Sequence, residues 1–173
     1  MKTIHNYRDL ALKQLSILYW SERQYATYLK VFSHKSHVAQ LKVLLFDISQ
    51  NAEVKAELLQ QAMEELDYKP THTSTEGMNG IFKEGFKLIS QDEHPSLVDA
   101  TIIHSLILAS HYKLGNFKTL LLYFRSLDFD PQAEMMEQII ALEESVLHKL
   151  NQMIKEEFVM NVFKPQLKSS LAY

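Results

Sequence analysis

The chain has 173 residues, 46% of them apolar and 23% charged, which excludes disordered and fibrous proteins and suffices for one domain with a sizeable core. Four glycines and four prolines are too few turn residues for a many-stranded sandwich or barrel, so a few long helices are expected. The absence of cysteine removes disulfides, thiolate zinc sites and cysteine nucleophiles, and a net charge of −3 offers no basic field for a nucleic-acid partner.

The first residues, Met1 to Leu10, mix Lys2, His5, Arg8 and Asp9 with apolar positions and lack the apolar core of a signal peptide. No apolar run approaches the ~18 residues that span a bilayer, so a cytoplasmic protein with no membrane association is expected. A first helical pattern runs from His5 to Phe32 and is interrupted by Ser33-His34-Lys35-Ser36. A second runs from Val38 to Leu66 and stops at the polar loop from Asp67 through Pro70 to Thr75. A short helix is predicted over Glu76 to Ser90. After Gln91-Asp92-Glu93-His94-Pro95, a third long pattern covers Ser96 to Phe124. Asp130 is then the predicted N-cap, with Pro131 opening a fourth long helix that reaches about Phe158. Pro165 leaves a short tail, Gln166 to Tyr173. Four long amphipathic helices with a longer connection in the middle describe an all-α, ferritin-like four-helix bundle. The short extra helix lies in the crossover between helices two and three, and residues 1–173 form a single domain.

The first long helix carries the stripe Ile4, Tyr7, Ala11, Leu15, Leu18, Glu22, Tyr25, Leu29, Phe32, in steps of threes and fours. Glu22 is its one ionisable carboxylate. It either faces the bundle interior, where it must be paired, protonated or metal-bound, or snorkels to a boundary. The fourth long helix repeats the pattern with Met136, Ile139, Glu143, Val146, Leu150, Met153. Opposed carboxylates at mid-height of a bundle are what a carboxylate-bridged di-iron or di-manganese centre uses. The second helix departs from that scheme. Its stripe, Val38, Leu41, Leu45, Ile48, Ala52, Ala56, Leu59, Met63, Leu66, holds no carboxylate or histidine. The third helix is apolar nearly all round, which marks it as central or covered by a partner subunit. His104 and His111 lie two turns apart on one of its faces, as hydrogen-bonded core residues or, for His111, a ligand. Gly77, Gly80 and Gly85 have neither the spacing nor the strand context of a phosphate-binding loop, and no zinc-protease or nucleophile-elbow motif is present. Trp20 and the neighbouring tyrosines read as packing.

Several segments taken together resemble a known family. Gly77-Met78-Asn79-Gly80-Ile81-Phe82-Lys83-Glu84-Gly85, following the Lys69-Pro70 loop, is similar to the Met-Glu-Gly-Leu-x-x-Glu-Gly signature of the YciE/YciF-type ferritin-like stress protein family. Leu18-Tyr19-Trp20-Ser21-Glu22-Arg23-Gln24 resembles that family's helix-one Leu-Tyr-x-x-Glu-Lys-Gln motif. Leu41-Lys42, His111-Tyr112 and Glu143-Glu144 fit its later helices, so the likeness covers roughly His5 to Phe158. The resemblance implies a ferritin-like bundle, commonly dimeric, with carboxylate and histidine ligands for a di-metal centre and a stress-associated, ferroxidase-type role. Glu22 and Glu143 match family glutamates. Ile48 stands at the helix-two histidine, Ser110 and Lys113 at helix-three glutamates, and Leu147 at a helix-four acidic position.

The expectation is therefore a ferritin-like, stress-associated bundle with a degenerate, incomplete di-metal centre, little or no ferroxidase activity and a homodimeric state. Glu22, Glu143 and His111 are the candidate metal residues, with iron or manganese as the candidate ions and no cofactor firmly expected. Two alternatives stand beside it: a functioning iron- or manganese-binding oxidoreductase built on Glu22 and Glu143, and a non-metal four-helix interaction module. His104, His148 and Tyr112 are the residues available to replace missing ligands. If both carboxylates are buried without metal, Glu22→Gln is expected to be neutral or stabilising, since it removes a desolvation cost. No small-molecule substrate is legible.

Overall fold

The computed structural model describes residues 4–70, 75–91 and 94–155. Its elements are α1 (Tyr7–Lys35), α2 (Ala39–Glu65), α3 (Glu76–Ile89), α4 (Pro95–Ser126) and α5 (Asp130–Met153). The four long helices and the short crossover helix are those predicted. The first helix runs three residues past Phe32 because nothing in Ser33-His34-Lys35 stops it; the chain turns extended only at Ser36. The fourth long helix starts at Asp130 itself, with Phe129 as its N-cap and Pro131 in its first turn. Its predicted end at Phe158, and the expectations for Met1–Thr3, Pro165 and Gln166–Tyr173, lie outside the described residues.

Local chemistry sets the helix ends. Asn6 caps α1: its side-chain oxygen accepts from the Asp9 N–H at 2.8 Å, while the Asp9 carboxylate accepts from the His5 N–H at 3.1 Å. The α2 and α4 C-termini close by the same device. Asp67 and Asp128 take positive φ, 49° and 56°, just past Leu66 and Leu127. At the first, the Tyr68 N–H donates to the Met63 carbonyl and the Asp67 N–H to that of Glu64; at the second, Phe129 donates to Phe124 and Asp128 to Arg125. This is the six-to-one, five-to-two closure that satisfies the last carbonyls of a helix, with aspartate where glycine is commoner. The Phe129 and Phe124 rings, 6.2 Å apart, add its usual apolar contact.

The short turn 36–38 makes α1 and α2 one hairpin, and α4 and α5 form a second through residues 127–129. Buried Asp99 on α4 accepts the His37 N–H at 3.0 Å and ties the first turn to the second hairpin. Contacts of α1 with α4 and of α2 with α5 close the four-helix bundle. Glu65, ending α2, accepts from Gln132, opening α5, at 2.8 Å, so the end of α2 and the start of α5 share one end of the bundle. The chain must then cross to the other end before α4 begins, and α3 lies on that path, against α4 and α1. This is the ferritin-like crossover arrangement.

Two glycines of α3 permit its docking. A Cβ on Gly77 would stand 2.6 Å from the Tyr112 ring, and one on Gly85 would collide with the Ser105 hydroxyl; Gly80 has open space. Phe82 stacks on Tyr28 with ring centroids 4.3 Å apart, Tyr28 donates to Asn79 at 2.7 Å, and Thr75 at the start of α3 donates to Gln24, so α3 is held to α1 by rings and by hydrogen bonds.

The core is divided in two. One buried cluster includes Leu15, Leu18, Leu59, Phe117 and Ile139; the other includes Tyr25, Ala52, Ala109, Phe82 and Val146. Between them each long helix places one buried charged residue, Glu22, Lys55, Lys113 and Glu143, apart from Asp99 of α4, which is buried at the α1–α2 turn.

Candidate functional site

Helical spacing places these four side chains at one height. Glu22 lies between Leu18 and Tyr25, Lys55 between Ala52 and Leu59, Lys113 between Ala109 and Phe117, and Glu143 between Ile139 and Val146. Each is three or four residues from an apolar neighbour on either side, so each falls on its helix's core face. All four side chains have no solvent exposure.

They form a closed ring of ion pairs. Lys55 Nζ lies 3.5 Å from Glu22 Oε2 and is hydrogen-bonded to Glu143 Oε2. Lys113 Nζ lies 3.4 Å from Glu22 Oε1 and 2.8 Å from Glu143 Oε2. Each pair bridges one of the four packed helix interfaces, α1–α2, α2–α5, α5–α4 and α4–α1. Passing round the bundle, charge alternates: carboxylate, ammonium, carboxylate, ammonium. The ring is neutral, and every charge has an opposite charge on both adjacent helices.

Its electrostatics follow from that alternation. Burial alone pushes the Glu143 carboxyl up, but Lys113 and Lys55 outweigh it and bring the group down to about 2. Burial alone pulls the Lys113 ammonium down, but Glu143 and Glu22 overcome that and hold it above its ordinary value. The Lys113 ammonium also sits 3.7 Å from the centre of the Tyr25 ring, on the face that attracts a cation. Burial, and then the Glu143 charge, push the Tyr25 phenol well up, so it stays neutral beside the ring.

Of the residues singled out from the sequence, Glu22 and Glu143 are brought together, through the two lysines. His111 is not; it is exposed on α4. His104 and His148 are exposed as well, and half-buried Tyr112 faces Gly77 of α3. Glu144, beside Glu143, pairs with Lys118 at 2.7 Å on the surface.

Lys55 and Lys113 are the residues that the stripes did not single out. The signal was present in the spacing. A line through Ala52, Lys55 and Leu59 keeps steps of three and four as well as the one through Ala56 does. Likewise Leu106, Ser110, Lys113, Phe117, Leu120 and Phe124 make an equally regular line on α4, all buried. Lysine snorkels so readily that periodicity alone does not separate an inward lysine from an outward one at either branch.

The donor set does not suit a di-metal centre. Among the described residues no three His, Cys, Asp or Glu side chains converge on one point. The two carboxylates that do approach each other carry an ammonium on each side, and Glu143 Oε2 contacts both. A divalent cation at that point would sit beside two positive charges.

A crevice of about 390 Å³ between α1 and α2 runs past the ring, lined by Tyr19, Arg23, Lys30, Glu53 and Glu57, with buried Glu22 also bordering it. No helix among the described residues is long and apolar enough to cross a membrane.

Two helical hairpins joined by a crossover, with inward charges at mid-height, define a ferritin-like helical-bundle protein. The family model described as Domain of unknown function (DUF892) matches residues 6–162, and the chain belongs to that family. The YciF-type resemblance read from its motifs agrees with the solved structures it is similar to. YcfI of Rhodopseudomonas palustris, for which a structural role is suggested, has a TM-score of 0.83 at 22% identity, over 87% of this chain and 96% of that one. The E. coli stress protein YciF gives 0.82 at 20% identity, over 87% and 95%. A protein of Xanthomonas campestris pv. campestris gives 0.73 at 18% identity, over 93% and 99%. At these identities the likeness is one of fold. No curated protein matches the sequence significantly.

Proposed function

We propose that the protein is a non-catalytic ferritin-like bundle, stress-associated and cytoplasmic, whose degenerate centre does not run ferroxidase chemistry. The observation that carries this reading is the neutral ring of Glu22, Lys55, Glu143 and Lys113. A ferroxidase must dehydrate and hold cations with several anionic or imidazole donors. Here both inward carboxylates are already engaged by ammonium groups, and the exposed His111 supplies no third donor. The fold shared with the E. coli stress protein YciF supports the stress association, and the suggested structural role of YcfI fits a protein without turnover.

The test is anaerobic titration with Fe(II) followed by oxygen. No stoichiometric uptake and no oxo-bridged absorption band are expected. About two irons per chain with that band would overturn the reading in favour of the oxidoreductase alternative.

The homodimer belongs to the same proposal, but on a different basis from the sequence. Most apolar residues of α4 are covered within the chain, although Leu97, Leu108 and Leu122 stay exposed, and on α2 Val43 and Phe46 are 64% and 65% exposed. Sedimentation velocity at micromolar concentration is expected to give a dimer, and a lone monomer boundary counts against it.

A further inference from the structure

We infer that Lys55 and Lys113 act as built-in cations, closing the bundle centre to divalent metal ions by occupying the charge positions between its carboxylates. This deepens the metal-free reading above and names the residues that enforce it.

Three observations carry the inference. First, the ammonium groups stand between the carboxylates, at 2.8 to 3.5 Å in the three looser contacts and in direct hydrogen bond in the fourth. Second, the alternation is complete: within the ring each of α1–α2, α2–α5, α5–α4 and α4–α1 is joined by an opposite-charge contact, so the ring's charge is balanced with nothing added. Third, all four side chains are fully buried, so each charge is stabilised by the opposite charges beside it in a medium where any one alone would be expelled. A divalent ion entering this layer must displace an ammonium or sit against it. Displacing one means driving a fully buried lysine side chain out from between its two carboxylates.

Exclusion by charge makes a prediction that exclusion by shape does not. If the lysines are removed, the layer should acquire metal affinity. Lys55→Glu with Lys113→Glu would place four carboxylates at one height, oxygen donors of the type a hard divalent cation takes. The crevice between α1 and α2, with Glu22 on its border, offers an approach from solvent.

The experiment is equilibrium dialysis of full-length wild type and the doubly charge-reversed variant against Mn(II), with thermal melts in Mn(II) and in chelator. Wild type is expected to retain no Mn(II) and to melt identically in both. The variant is expected to retain about one to two Mn(II) per chain and to melt higher in Mn(II) than in chelator. Should it not fold without metal, Lys55→Met with Lys113→Met is read the same way; its two uncompensated carboxylates should bind Mn(II) at least about tenfold more tightly than wild type. A folded variant that retains no more Mn(II) than wild type overturns the inference. So does failure of both variants to fold even in Mn(II), because the metal should then replace the lost charge. Mn(II) retained by wild type would instead sink the metal-free reading itself, so the two failures are distinguishable.

Discussion

Glu22 shows how a partner changes the sign of a mutational effect. Taken as an unpaired buried acid, its replacement by glutamine should be neutral or stabilising. With Lys55 and Lys113 each within 3.5 Å, the same change leaves two ammoniums facing one carboxylate. Removing one partner of a buried ion pair typically costs about 3–5 kcal/mol, so Glu22→Gln is expected to destabilise by about that much. The neutral replacement Glu22→Gln, Lys55→Met, Lys113→Met, Glu143→Gln should recover most of the loss, because no charge is stranded. Urea denaturation of both variants decides this: a single variant as stable as wild type would mean that the ring is not charge-coupled. The exposed pairs Lys118–Glu144 and Arg125–Glu137, about half-exposed on both sides, carry no such expectation.

At the scale of elements, the informative contrast is among the glycines of α3. The motif Gly77-x-x-Gly80-x-x-x-x-Gly85 contains two positions with a packing reason and one without. Gly77→Ala forces its methyl group into the Tyr112 ring and is expected to cost about 1–3 kcal/mol. Gly80→Ala meets open space and replaces a poor helix former, so it should stabilise by about 0.5–1 kcal/mol. Denaturation midpoints of the two variants should therefore move in opposite directions. Equal shifts would mean that α3 does not dock on α4 through Gly77. The closures of α2 and α4, Leu66-Asp67-Tyr68 and Leu127-Asp128-Phe129, are a second element-scale regularity. They place an acid in the left-handed conformation where a glycine scan would find nothing.

Over the whole molecule, the buried ring should appear as a pH window of stability. Glu143 titrates near 2 in the folded chain against an ordinary 4.5. A folded pKa below the unfolded one contributes stability that is present above about 4.5 and lost as pH falls from there toward 2. Lys113 is raised above 10.5, so its contribution is present below that value and lost as pH rises through the folded pKa. A plateau is expected between the two limbs, with an acid limb on the order of 3 kcal/mol from Glu143. Urea midpoints measured from neutral pH down to about 3 for wild type and the neutral four-site variant check this. An acid limb of the same depth in both would assign the loss to other carboxylates.

The helices, their order and the crossover were legible in the sequence, as was the place of Glu22 and Glu143 on apolar stripes, though not whether Glu22 turned inward. Apolar spacing of three and four residues is a property of one chain segment, and Ala11, Leu15, Leu18, Tyr25, Leu29 and Phe32 are buried as their spacing requires, whereas Ile4 and Tyr7 of the same stripe, before and at the first residue of α1, are exposed. What balances those glutamates depends on how the four helices pack against one another. Lys55 and Lys113 lie at branch points where two lines along the helix are equally regular, and their side chains are long enough to reach water or the core. The choice is made by charges on other helices: an ammonium enters the interior only where carboxylates from two neighbours are waiting. His111 missed the centre for a related reason, since Ser110 and Lys113 occupy the α4 face that turns inward and leave His111 toward solvent. One-dimensional periodicity fixes which face of a helix is buried. Which charged residue is tolerated there depends on what the other three helices present at the same height.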